Sequence, residues 1–191
     1  DMGVADLLRT RFPDLPAHAS TQMALHNASG VRFVRERGFT RAVLARECDL
    51  AAIRRAADEG IEIEVFGHGA QCVAVSGECL FSSMLGERSG NRGRCAQPCR
   101  LPYTYRGKTA AWLSPRDVCM RNDLPALAQA GAVSVKLEGR MKRPEYVAVV
   151  ANSYRQAIDR MNAGGFMQAD AQEMQSLRQI FNRGDFMRGY A

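Results

Sequence analysis

The sequence predicts an α/β fold in which short parallel strands alternate with crossover helices. Three observations predict it. Apolar runs of strand length are each followed by an amphipathic stretch of helical period. Helix start and stop signals fall where that alternation needs them. The 191 residues are 46% hydrophobic and 24% charged, enough apolar material for a sizeable core. Such βα alternation implies parallel strands joined by helices that cross between them.

The elements follow in order. AHAST (17–21) reads as a strand and NASGVRFVRERG (27–38) as the helix after it. RAVLARE (41–47) is the next strand, followed by DLAAIRRAADEG (49–60), which opens on an Asp49 cap and closes on Gly60. IEIEVFGHG (61–69) is a third strand. AAWLSPRD (110–117) predicts a fourth, with VCMRNDLPALAQAG (118–131) as its helix and Trp112 in the core. AVSVKLEGR (132–140) predicts a fifth, before PEYVAVVANSYRQAIDRMNAGG (144–165), where proline sits in the first helical turn. In that helix Val147, Val150, Tyr154 and Ile158 form a core-facing stripe. FNRGDFMRGY (181–190) reads as a terminal turn that packs aromatic rings beneath the sheet, and the nine methionines read as gap fillers.

About five strands fall short of a closed (β/α)₈ barrel, which takes roughly 250 residues. The chain therefore supplies the later part of a barrel or an open sheet. It begins Asp1-Met2, which fits a piece of a longer polypeptide. No window approaches 18 uninterrupted apolar residues, and no basic-then-apolar leader is present, so the expectation is a soluble, cytoplasmic protein without a membrane span. The net charge of +6 comes mostly from arginine, whose planar fork suits carboxylate or phosphate. That charge permits a nucleic-acid partner without requiring one.

In either architecture the working residues sit at the carboxyl ends of the strands. Those ends carry Ser20, Thr21 and Gln22, then Arg46 and Glu47, then His68, then Arg116 and Asp117, and finally Glu138 and Arg140. Charges placed there are costly unless paired or used. Arg46 with Glu47, Lys136 with Glu138, and Glu138 with Arg140 are the structural pairings that local spacing offers.

Five of the six cysteines, Cys72, Cys79, Cys95, Cys99 and Cys119, follow one another within fifty residues, with Cys48 apart. Disulfides are disfavoured without a leader peptide. A structural zinc site wants ligand pairs two to four residues apart, and only Cys95 and Cys99 come close. Wider spacings with glycines at 77, 86, 90 and 93 suit an iron-sulfur cluster held by thiolates. From the residues alone a cluster, zinc and unliganded thiols all stay open.

The run EVFGHGAQCVAVSGECLFS (64–82) resembles the signature of the collagenase-like peptidase U-32 family. Gln71 and Phe81 depart from it, since an aliphatic residue is usual at both, but neither replaces a cysteine. The resemblance extends through HASTQMALHN (18–27), VLARE (43–47), NRGRCAQPCRLPY (91–103), LSPRDVC (113–119), VKLEGRMKRPEYVAVV (135–150) and FNRGDFMRGY. It covers essentially the whole chain and implies one domain over residues 1–191. That domain is the carboxyl-side, later part of a TIM-barrel-like (β/α) domain with a cysteine-rich loop insertion at 64–119, lacking its amino-terminal half.

The resemblance implies hydroxylation rather than proteolysis. Family members support hydroxylation of a tRNA wobble uridine with prephenate as the source, of a ribosomal RNA cytidine, or of ubiquinone precursors. In the quinone members four cysteines hold a 4Fe-4S cluster, and those ligands carry over to Cys72, Cys79, Cys95 and Cys119, with Cys99 an additional thiol. RNA and a small carboxylic acid become the expected partners. Gln22, Arg46, Lys136 and Arg140 are then the substrate-binding candidates, and His68, Glu138 and Glu47 the proton donors or acceptors. A peptidase would need a nucleophile beside an oriented histidine. The chain has three histidines and neither GxSxG nor HExxH, leaving Cys72 with His68, oriented by Glu64 or Glu47.

Overall fold

A computed structural model of the chain describes residues 1–189. Helix α1 (Met2–Arg11) precedes a two-residue strand β1 (His18–Ala19), a 3₁₀ turn at Thr21–Met23 and helix α2 (Ala28–Glu36). Asn27 caps α2 by accepting from the Gly30 amide at 2.8 Å. Strand β2 (Arg41–Val43) leads to α3 (Leu50–Ala57), and the Asp49 carboxylate accepts from the Ala52 amide at 2.7 Å, as the sequence predicts. Strand β3 (Glu62–Ala70) is the longest. Beyond it come α4 (Phe81–Gly86), a 3₁₀ turn at Pro98–Arg100 and a small hairpin of β4 (Tyr103–Tyr105) and β5 (Lys108–Ala110). Strand β6 (Asp117–Cys119), a 3₁₀ turn at Arg121–Asp123, α5 (Leu124–Gln129) and β7 (Ala132–Leu137) follow. Helices α6 (Pro144–Asn162) and α7 (Ala171–Ile180) and strand β8 (Phe186–Met187) complete the order.

The main sheet has six strands in the order β1-β2-β3-β6-β8, with β7 also pairing β3. Pairs β1/β2, β2/β3, β3/β7 and β6/β8 are parallel. The last residues of β3 run antiparallel to β6, with His68 opposite Cys119 and Ala70 opposite Asp117. Two expectations change here. The strand placed at AAWLSPRD lies instead at Asp117–Cys119, and the sheet is mixed rather than wholly parallel. The α/β class holds, whereas the sheet among the described residues is open, since β1 and β8 each have one neighbour.

Two cores hold the layers. One lies among β1, β2, β3, α2, α3 and α5, with Val31, Val34, Leu44, Ile53 and Ile63 almost wholly buried. The other joins α6 and α7 to the sheet through Val150, Tyr154, Ala157 and Leu177. Each such aliphatic side chain contributes about 1.5 to 3 kcal/mol on leaving water. Arg121, only 1% exposed, ties α7 to this core by a fork to Glu173 at 2.9 and 3.2 Å and a bond to the Met167 carbonyl. The predicted stripe on α6 is correct at Val150 and Tyr154, but Val147 is 47% exposed. Trp112 is 51% exposed, outside the core predicted for it, because the chain around it turns instead of forming a strand. In the terminal segment Phe186 packs edge-on against His68 and Phe181 against Tyr146, while Tyr190 lies outside the described residues.

Candidate functional site: a thiol-lined cavity at the strand ends

The carboxyl ends of the parallel strands β1, β2, β3 and β7 converge on one cavity of about 430 Å³. Gln22 reaches it from the turn after β1, Arg46 from the segment after β2, and Cys72 from the segment after β3. Lys136 is the last residue but one of β7, and Glu138, Arg140 and Lys142 follow the strand. This is the end of a parallel sheet where ligands bind, and the volume lies within the range of small-molecule sites.

Two glycines allow the convergence. Gly69 has φ +117°, and a Cβ there would stand 2.8 Å from the Glu138 Cβ, so its bareness lets the loop after β7 lie against β3. Gly77 has φ +83° and passes so close to the Thr21 carbonyl that a Cβ would sit 2.6 Å from it. The cysteine segment thereby docks on the turn that carries Gln22.

Cys72, Cys79, Cys95 and Cys99 all line this cavity. Gly90 packs between the Cys79 carbonyl and the Cys95 Cβ, where the two segments meet. The Cys95 Sγ accepts from the Gln97 amide at 3.3 Å. Burial raises the Cys72 and Cys99 thiol pKa values, with Arg46 and Arg100 respectively opposing it. Cys119 lies elsewhere, 8% exposed in the α6 core, its Sγ accepting from the Tyr154 hydroxyl at 3.8 Å. Burial raises its pKa as well.

The charged residues pair differently from local spacing. Arg46 binds Glu138, Nη2 to Oε1 at 2.5 Å, lies 3.8 Å over the Phe66 ring, and donates to Ser76 Oγ at 3.3 Å. Lys136 lies 3.6 Å from Glu64, and Arg140 donates to the Gly93 carbonyl. The pairings Arg46–Glu47, Lys136–Glu138 and Glu138–Arg140 are therefore replaced. Long side chains at strand ends reach across the sheet more readily than back to a neighbour in sequence. Glu47 accepts from the Ser76 amide at 2.7 Å, its other oxygen buried without a partner among the described residues.

His68 is inside β3, not beyond it, and is 1% exposed. Rings of Tyr146, Tyr154 and Phe186 surround it at 5.2 to 6.0 Å, and its Nδ1 faces the Tyr154 hydroxyl at 3.4 Å. Burial pushes its pKa down to about 4. Of the residues nominated from sequence, Gln22, Arg46, Lys136, Glu138, Arg140, Cys72, Cys79 and Cys95 share the cavity wall, while His68, Glu47 and Cys119 do not line it. Sequence reasoning missed Arg100 and Lys142, which also line it, and offered Arg183 only as an extension of an RNA-binding surface, whereas it too is on the cavity wall. The dense basic run Arg140-Met141-Lys142-Arg143 was the available signal for Lys142.

The donor set can be tested against a metal group. Among the described residues no three His, Cys, Asp or Glu side chains converge tightly enough for a single ion. A cluster of four irons, each bound by one thiolate, spreads its sulfurs more widely than one ion does. Four soft donors around one cavity, with a backbone amide on Cys95 Sγ, fit that chemistry.

The model of Peptidase family U32 matches residues 1–191, and the chain belongs to that family. It is 38% identical over 170 residues to tRNA hydroxylation protein P1 of Bacillus subtilis, covering 82% of this chain and 40% of that protein. It is 42% identical over 169 residues to the 23S rRNA 5-hydroxycytidine C2501 synthase of Escherichia coli, covering 83% and 25%. To the collagenase of Porphyromonas gingivalis it is 33% identical over 209 residues, covering 98% and 50%. The chain thus spans between a quarter and a half of the length of these curated relatives. No solved structure matches it significantly.

Proposed function

We propose that this chain forms the cluster-holding and substrate-binding part of a protein that hydroxylates RNA, acting in the cytoplasm. The observation that carries the reading is the single cavity in which four thiols and several charged side chains meet at the carboxyl ends of parallel strands. Relatives named for tRNA and ribosomal RNA hydroxylation support the substrate class.

Cys72, Cys79 and Cys95 hold a 4Fe-4S cluster in this reading. The fourth thiolate is either Cys119, as the family pattern implies, or Cys99, which already lines the cavity. When bound, the cluster supplies electron transfer, a chemistry that side chains lack. The protein's own groups do the rest. Glu138, held by Arg46 on the cavity wall, takes or gives a proton in this reading. Gln22 offers an amide to a nucleobase edge or a small acid, and Lys136 and Arg140 set positive charge around the opening. A small carboxylic acid, prephenate in the family resemblance, is the expected co-substrate.

The collagenase reading has less support from the site. Its nucleophile would be Cys72, whose thiol burial pushes upward, whereas an activated cysteine needs its pKa lowered. His68 faces Tyr154 within a ring of aromatics, without a carboxylate bonded to it.

The test is mass spectrometry of tRNA and ribosomal RNA from cells lacking the full-length protein. Loss of one hydroxyl group, restored by the wild-type gene and not by Cys72→Ala, is the expected result. Fully hydroxylated RNA in the deletion strain overturns the proposal.

A further inference from the structure

The cations nominated from the sequence for substrate binding are already engaged: Arg46 with Glu138, Lys136 with Glu64, Arg140 with the Gly93 carbonyl. Arg100 is held by the Pro115 carbonyl at 2.8 Å, by Ser114 Oγ at 3.1 Å and by the Gln71 carbonyl. Arg183 binds Asp117 at 2.7 Å and Gln97 Oε1 at 3.1 Å. Among the described residues, Lys142 is the cation on the cavity wall whose side chain makes no hydrogen bond or ion pair to a protein group.

Its ammonium lies 2.8 Å from the Phe181 ring centroid and 5.7 Å from that of Tyr146. Ring faces attract the charge yet leave the three N–H donors without an oxygen acceptor. The charged groups close enough to act on it are Arg183 from the segment after α7, Asp117 from β6, Arg100 from the Pro98–Arg100 turn, and Glu138 from its own loop. Glu138 is taken by Arg46 and Asp117 by Arg183, so positive charge is left over around Lys142. Burial first, then Arg183, pushes Lys142 down to about 8.

We infer that Lys142 is the anion-receiving residue of the cavity, binding one oxyanion, a carboxylate or a phosphate, of the molecule that enters it. Arg100 and Arg183, fixed by their own partners, supply a positive field without having to move. This deepens the reading of the cavity as a substrate site and is independent of the cluster. A bound anion restores the proton that the neighbouring arginines disfavour. Affinity is therefore full below about pH 8 and falls about tenfold per pH unit above it.

The test is calorimetric titration of the full-length protein with malonate and, separately, with inorganic phosphate, from about pH 6 to about pH 10 at fixed ionic strength. One site per chain is expected, weakened at least about tenfold in Lys142→Met at neutral pH. In Lys142→Arg, whose charge does not titrate in this range, binding persists and the fall near pH 8 disappears. Malonate binding tighter than phosphate assigns a carboxylate ligand, and the reverse assigns a phosphate. Lys142→Met binding as tightly as wild type, no binding by wild type, or a pH 8 midpoint retained in Lys142→Arg overturns the inference. None of these readouts needs iron or turnover, so failure here is separate from failure of the hydroxylation proposal.

Discussion

Arg46 and Glu138, 92 residues apart in sequence, meet with Nη2 2.5 Å from Oε1 and so bridge the ends of β2 and β7 across β3. The Arg46 side chain is 10% exposed and Glu138 30%. Removing one partner leaves a poorly solvated charge, and hydrogen bonds to charged groups are worth about 2 kcal/mol. Glu138→Ala should lower stability by about that much in urea unfolding, and adding Arg46→Met should recover part of the loss. Strictly additive effects would show that the pair does not couple the two strand ends.

Arg121 and Glu173 make a second such tie, deeper in the fold. Arg121→Met leaves Glu173, which also accepts from Ser153 Oγ at 2.5 Å, without its guanidinium. The expected loss is about 3 kcal/mol, read as a lower urea midpoint with an unchanged slope. A change below about 0.5 kcal/mol would contradict the anchoring of α7 through this pair.

His68 makes the fold acid-sensitive. Its native pKa near 4 lies below the ordinary value of 6.5, so the unfolded chain binds the proton first as pH falls. Stability is unaffected by this group above about pH 6.5 and declines between there and pH 4, by about 3 kcal/mol in all. His68→Gln should flatten that part of the stability–pH curve. An unchanged slope would place the acid sensitivity elsewhere.

Gly69→Ala tests how closely the loop after β7 lies against β3. The added methyl meets the Glu138 Cβ at 2.8 Å in a backbone conformation that suits glycine. About 2 kcal/mol of destabilisation is expected. A neutral outcome would mean that the loop can withdraw freely.

Strands β2, β3 and β7 were legible as short apolar runs, and helices α2, α3 and α6 because each combines periodicity with a cap or a proline start. Strand β6 was not. It is three residues long and pairs antiparallel to β3, and no local pattern encodes the direction of a partner. The same limit explains the ion pairs: Glu138 and Arg46 are joined by topology, so spacing assigned each to a neighbour. Cysteine spacing does not reveal that Cys99 lines the cavity while Cys119 packs beneath α6. Lys142 escaped notice because a basic run reads as a solvated face until the rings of Phe181 and Tyr146 are brought against it.

Iron and sulfide analysis of the anaerobically purified full-length protein, with an absorption spectrum, tests the central claim most directly. It is made on wild type and on alanine variants of Cys72, Cys79, Cys95, Cys99 and Cys119. The account predicts about four irons per chain, lost on substitution of Cys72, Cys79 or Cys95 and of one of the remaining two, which identifies the fourth ligand. Wild-type protein without iron or sulfide, or iron retained in Cys72→Ala, Cys79→Ala and Cys95→Ala, would contradict it.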